Sequence, residues 1–118
     1  MTSTTFAAQV QSKPGVAVLQ LAGEINAFAE EELNRAYSEA EQLAPNTIVL
    51  NFSSVGYINS TGIALIVGLL AQTRKAHRSM VVCGLSDHYM EIFQITRLAD
   101  FMSIYVDEAS ALQAVLQN

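Results

Sequence analysis

Two hydroxyl side chains, Ser60 and Thr61, stand between Asn59 and Gly62, where a short apolar strand segment gives way to a helix-forming run. Small hydroxyl residues at a helix start face four unpaired backbone N–H groups and the positive end of the helix dipole. A hydroxyl there can cap the helix, and a phosphate attached to it would be tolerated electrostatically. Hydrolytic chemistry is a different use of the same serine, with His77 or His88 as base. The GxSxG elbow is absent, however, and nothing aligns an acid, a histidine and the serine. His77 reads as a cation at a helix C-terminus, and His88 as an exposed first-turn residue. The acids Glu30, Glu31 and Glu32 read as a solvated helix start, because metal ligands would have to converge from several elements. The chain is therefore not expected to be an enzyme, and no metal or cofactor is expected.

The element that presents Ser60 is unusual. Ile63, Ala64, Leu65, Ile66, Val67, Leu69 and Leu70 place apolar groups on more than one side of the helix, which then needs cover all round. In a chain of 118 residues, part of that cover is expected to come from a partner. Gly62 and Gly68 each cost such a helix about 1 kcal/mol relative to Ala. Two of them suggest close backbone approach, one to the sheet and one to a partner, with no assignment of which is which.

The rest of the chain supplies the frame. Phe6 to Gln11 and Val16 to Leu21 read as a hairpin about Pro14-Gly15. Gly23 then breaks the second run and leaves Glu24-Ile25-Asn26 as a loop. From Ala27 the spacing of Leu33, Ala36, Tyr37, Ala40 and Leu43 marks one helical face, with Glu31 one turn before Arg35. Pro45-Asn46 ends that helix. Ile48-Val49-Leu50 is too short for a helix and reads as a strand covered on both faces. The central helix spans about Thr61 to His77, followed by a strand at Met80 to Cys83 that ends at Gly84. Ser86 and Asp87 cap a short helix turning Met90, Phe93 and Ile95 inward. A last strand covers Ser103 to Val106, and Asp107 caps a terminal helix whose inner face is Ala109, Leu112, Val115 and Leu116. Strands alternating with helices after a hairpin imply an α/β domain with a mainly parallel sheet and an antiparallel edge.

Composition narrows the function. A net charge of −5 argues against nucleic-acid binding, which needs a basic face. The cations Arg74, Lys75 and Arg78 gather around His77 in the expected last turn of the central helix, where the dipole favours them. Cys83 is the only cysteine and reads as a small core residue. Ile63 to Ala71 is the longest apolar stretch, too short to span a bilayer, and no basic-then-apolar leader opens the chain. A cytoplasmic protein is expected, forming one domain over residues 1–118, with the sequons at Asn51 and Asn59 as chance matches.

Leu21-Ala22-Gly23-Glu24-Ile25, Ile48 to Val55, and Tyr57-Ile58-Asn59-Ser60-Thr61-Gly62-Ile63 together resemble the STAS domain of bacterial anti-sigma factor antagonists and sulfate-transporter tails. Val82-Cys83-Gly84-Leu85-Ser86 and Leu98-Ala99-Asp100-Phe101 fit the same pattern. The resemblance implies a STAS fold: a mixed, mostly parallel sheet of four or five strands with about four helices mainly on one face. It implies a binding module of the antagonist branch, a monomer when free, that meets an anti-sigma factor with serine kinase activity and is reset by a phosphatase. Ser60 matches the phosphorylated position, with Thr61 beside it as cap or first-turn residue rather than acceptor. The implied docking surface comprises Gly23, Glu24, Asn26, Asn59, Ser60, Thr61, Gly62, Ile63 and Val67. The family usually carries Asp at the positions of Asn26, Asn51 and Asn59. The isosteric amides keep the capping ability and change the charge beside the switch. A constitutive STAS scaffold, such as a subunit on a transporter ATPase, is the alternative; an enzyme or small-ligand binder is a second.

Overall fold

The Pro14-Gly15 corner folds β1 (Ala7–Lys13) back on β2 (Val16–Ile25) as an antiparallel hairpin, with Lys13 opposite Val16. This is a computed structural model that describes residues 5–116, so the reading of the chain's first residues as lacking a leader lies outside it. β3 (Thr47–Ile58), β4 (Ser79–Cys83) and β5 (Ser103–Tyr105) then add in parallel, giving the order β1-β2-β3-β4-β5. The expected mixed sheet with an antiparallel edge is present, with five strands.

Alternation along the strands divides the core in two. Leu19, Leu21, Ile48, Leu50 and Val82 face α1 (Glu30–Gln42), α2 (Ser60–Lys75) and α3 (Asp87–Ile95). Val16, Val18, Val49, Val81 and Cys83 face the other way, under α4 (Glu108–Leu116). Ile48, Val49 and Leu50 are each 0% exposed, the doubly covered strand expected from their unbroken apolar run. Between α1 and α2, the buried Tyr37 hydroxyl meets Thr73 Oγ1 at 2.9 Å, and Thr73 donates to the Leu69 carbonyl at 2.8 Å. Burial raises the Tyr37 pKa above the usual phenol value.

Several expectations need correction. Gly23 does not break β2: the strand runs on to Ile25, absorbing register shifts on either side of a φ of +100° at Gly23. A glycine inside a strand pattern marks such irregularities as well as breaks. β3 is far longer than its apolar run, because beyond Asn51 it pairs with β2 alone and its side chains are largely solvent-facing. Arg35 pairs with Glu32 and Glu39, each at 2.8 Å, not with Glu31, and it also donates to the Ala8 carbonyl at 2.9 Å. The Arg35 hydrogen bond holds the Glu32 carboxyl below its ordinary pKa. Leu43 lies beyond the end of α1 and is exposed. α2 starts at Ser60 and stops at Lys75, so His77 and Arg78 lie past it; Arg78 instead ties to the Pro45 carbonyl at 2.8 Å and to Glu41. In α3, Tyr89 and Phe93 point inward and Met90 is half-buried, while Ile95, two residues past Phe93, turns out to solvent. β5 ends at Tyr105, leaving Val106 exposed.

The phase of α4 also differs. Asp107 caps it by accepting from the Ser110 N–H at 2.8 Å, which lowers the Asp107 pKa. Glu108, Ala111, Leu112 and Val115 then share the inner face, leaving Ala109 and Leu116 outside. The reason is polar. Glu108 accepts from the amides of Asn51, at 2.8 Å, and Gln20. Asn51 lies within β3 rather than at a strand end. Its Nδ2 also donates to Gln20 Oε1 at 3.0 Å, and its Oδ1 accepts from Ser53 N–H and Oγ at 2.9 and 2.7 Å. A carboxylate at position 51 would lose both donors and face Glu108. Asn51→Asp is thus expected to lower stability by about 1–3 kcal/mol, and adding Glu108→Gln to recover much of it, as read by urea unfolding.

Cys83 is fully buried, and its pKa is pushed up to about 11 by that burial, with the Glu108 and Asp107 carboxylates adding to it. Iodoacetamide at about pH 8 should leave the folded protein unmodified and label it stoichiometrically in denaturant; rapid native labelling would contradict this placement.

Candidate functional site

The end of β2 and the start of α2 meet at one backbone carbonyl. Ile25 and Ile58 are register partners at the ends of β2 and β3, and the Ile25 carbonyl accepts the Asn59 N–H at 3.2 Å. A Cβ on Gly62 would lie 2.1 Å from that same oxygen, so only glycine lets the first turn of α2 seat there. Tyr89 braces the arrangement from α3: its hydroxyl accepts from the Ile58 N–H at 2.8 Å and reaches the Ile58 carbonyl at 3.3 Å.

Asn59 is the cap. Its backbone is extended, and its Oδ1 accepts from the Gly62 N–H at 2.8 Å. Ser60 and Thr61 are therefore the first two residues of the helix rather than its cap. Both are exposed, and among the described residues neither hydroxyl makes a hydrogen bond within the protein. Among the described residues, no histidine or carboxylate hydrogen-bonds to the Ser60 hydroxyl. A negative group carried there would sit at the positive end of a helix of 16 residues.

Asn26 repeats the device on the facing loop, with its Oδ1 accepting from Phe28 N–H at 2.9 Å to cap a 3-10 turn at Ala27–Ala29. Gly23, Glu24 and Asn26 are half-buried, and through the Ile25 carbonyl they form one unit with the helix start. Of the two glycines on α2, Gly62 meets the sheet, whereas a Cβ on Gly68 would meet nothing within 4 Å. Gly62 itself is buried and Ile63 half-buried, while Val67 is exposed.

The packing of α2 is one-sided. Ile66, Leu69, Leu70 and Thr73 are buried, while Ser60, Thr61, Ala64, Val67, Gly68 and Ala71 form the outward strip. Two residues that sequence reasoning passed over belong beside it or near it. Phe28, 94% exposed, stands on the 3-10 turn that packs on α2, and Tyr57, 51% exposed, lies at the end of β3. Neither falls in a periodic pattern. An aromatic two residues after an N-cap, outside the helical face, was the available signal for Phe28.

A parallel sheet with one antiparallel edge, three helices on one face and a glycine-seated helix start at the strand ends define a small α/β domain that offers a helix terminus to solvent. The chain belongs to the STAS domain family, whose model matches residues 7–111. It is 29% identical over 86 residues to the anti-sigma-B factor antagonist of Staphylococcus aureus strain NCTC 8325, covering 73% of this chain and 80% of that protein. Its fold matches an anti-sigma factor antagonist from Mycobacterium paratuberculosis with a TM-score of 0.81 at 22% identity, over 94% of each chain. It also matches the Bacillus cell fate determinant SpoIIAA in its phosphorylated form, with a TM-score of 0.72 at 25% identity, over 92% of this chain and 99% of that one.

The two helix glycines should respond oppositely to the same change. Gly62→Ala is expected to cost about 3 kcal/mol because backbone must move, whereas Gly68→Ala should add about 0.5–1 kcal/mol, both measured by urea unfolding.

Proposed function

We propose that this chain is an anti-sigma factor antagonist that acts by protein binding without catalysis of its own, with Ser60 as its switch. The observation that carries the reading is the division of labour at the helix start: Asn59 caps, and the exposed Ser60 hydroxyl is left unengaged. The partner would be an anti-sigma factor with serine kinase activity, docking on Gly23 to Asn26 and on α2 from Asn59 to Val67. Phe28 supplies an aromatic anchor at the edge of that surface, the residue class in which interface energy concentrates. A monomeric, cytoplasmic form acting as one domain over residues 1–118 fits this role.

Phosphorylation adds about −1.5 to −2 charge, which the dipole softens for the fold but which a docked partner must desolvate or oppose. A penalty of about 3 kcal/mol would cut affinity more than a hundredfold. Refolding is unnecessary to such a switch. Structures of SpoIIAA in its unphosphorylated and phosphorylated forms both match this chain, with TM-scores of 0.73 and 0.72, so the fold that this chain shares is compatible with either state of that protein. The amide of Asn59 performs the capping that a carboxylate would perform at that position, so it alters local charge and leaves the geometry in place. A phosphatase would restore the docking form.

A panel of the anti-sigma factors encoded in the same genome, each purified, provides the test. Kinase and ATP should place one phosphate on Ser60 by mass spectrometry, and Ser60→Asp should lower affinity about a hundredfold with the circular dichroism spectrum unchanged. Binding untouched by Ser60→Asp would favour a constitutive scaffold instead.

A further inference from the structure

Away from the helix start, the C-terminal half of α2 borders a cleft that shares only Val67 with the docking surface described above. Val67, Leu70, Ala71 and Arg74 line one side and Leu98 and Phe101 the other, around a volume of about 420 Å³. Leu70 and Leu98 are buried, while Val67 and Phe101 are 43% and 51% exposed. The Arg74 guanidinium lies over the Phe101 ring, 5.1 Å from its centroid. Here an acidic chain is locally positive. Arg74 and Lys75 close α2, and among the described residues neither forms an ion pair, whereas Arg35, Arg78 and Arg97 are each matched to carboxylates. A guanidinium resting on a ring keeps its planar fork of donors available to a carboxylate.

Two other clefts are less informative. The one beyond Arg74 contains Arg78 and Asp100, whose charges are already met by Glu41 and Arg97. The larger one beside α4, near Val16, Tyr105 and Val115, has no charged lining that would select an occupant.

We propose that the Val67–Phe101 cleft seats an amphipathic helix of the anti-sigma partner, which inserts an apolar side chain beside Phe101 and sets a carboxylate on Arg74. This rests on the docking reading above and extends it along α2. Val67 belongs to both surfaces, so an occupant of the cleft continues onto the strip that begins at Ser60. From Ser60 to Arg74 the strip is about 21 Å long, and its small residues Ala64, Gly68 and Ala71 allow a second helix to approach closely. A second copy of this chain is the poorer occupant, since it would bring another net charge of −5. Two unmatched cations beside an apolar cleft suit a single carboxylate better than a run of phosphates.

The experiment uses the full chain and the purified panel of anti-sigma factors by calorimetry, with circular dichroism to verify folding of each variant. Ala71→Arg, an exposed helical position, should fill the cleft and weaken binding by about 30-fold. Arg74→Gln should weaken it about fivefold and flatten its dependence on NaCl between about 50 and 500 mM, which a packing role would not do. If Ser60→Asp abolishes binding while both cleft variants bind within about twofold of the original, the cleft inference is overturned and the switch stands. If no anti-sigma factor binds the unmodified protein, both fall. Self-association in sedimentation that Ala71→Arg removes would put a second copy in the cleft and overturn the inference as well.

Discussion

The carbonyl oxygen of Ile25 governs the geometry of the exposed end of this molecule. It takes the Asn59 N–H and lies where any side chain at position 62 would have to be. Because one acceptor meets both the approach to α2 and its first turn, loop and helix start move together or not at all. Tyr89 fixes the end of β3 from the opposite side, with the two polar groups of Ile58 on its single hydroxyl. A surface held this way is preorganised. A partner meeting it would lose little of its binding energy to ordering the loop, which is a principal cost of association.

The same geometry explains how so apolar a helix remains compatible with water. Its large side chains, Ile66, Leu69 and Leu70, are turned to the core, and its outward strip is built from small residues with Val67 as the exception. Small side chains leave little greasy area to aggregate while keeping the backbone accessible. On the opposite face of the sheet, α4 is held by a carboxylate between two amides rather than by apolar packing alone. That choice sets the rotation of the helix, since Glu108 must reach Asn51.

How much of this could be read beforehand follows from which signals are local. The hairpin, the buried run at Ile48-Val49-Leu50 and the helix caps at Ser86 and Asp107 were legible because propensity, pattern and turn chemistry agree there. The length of β3 was not, because from Ser53 onward its residues pair on one side only and carry no apolar alternation. The phase of α4 and the partner of Arg35 depend on groups distant in sequence, Asn51 in one case and Ala8 in the other. At the candidate site the residue types were legible while their division of labour was not. Spacing alone could not tell whether Asn59 or Ser60 would cap, and exposure of Phe28 leaves no periodic trace.

Asn59 carries the structural duty at the head of α2, and position 60 inherits none. The capping side chain and the exposed hydroxyl thereby belong to adjacent but separate residues. Selection can retune what is attached, added or removed at the second of them without first rebuilding the first. A domain arranged so can change its outer face at position 60 while its scaffold stays still.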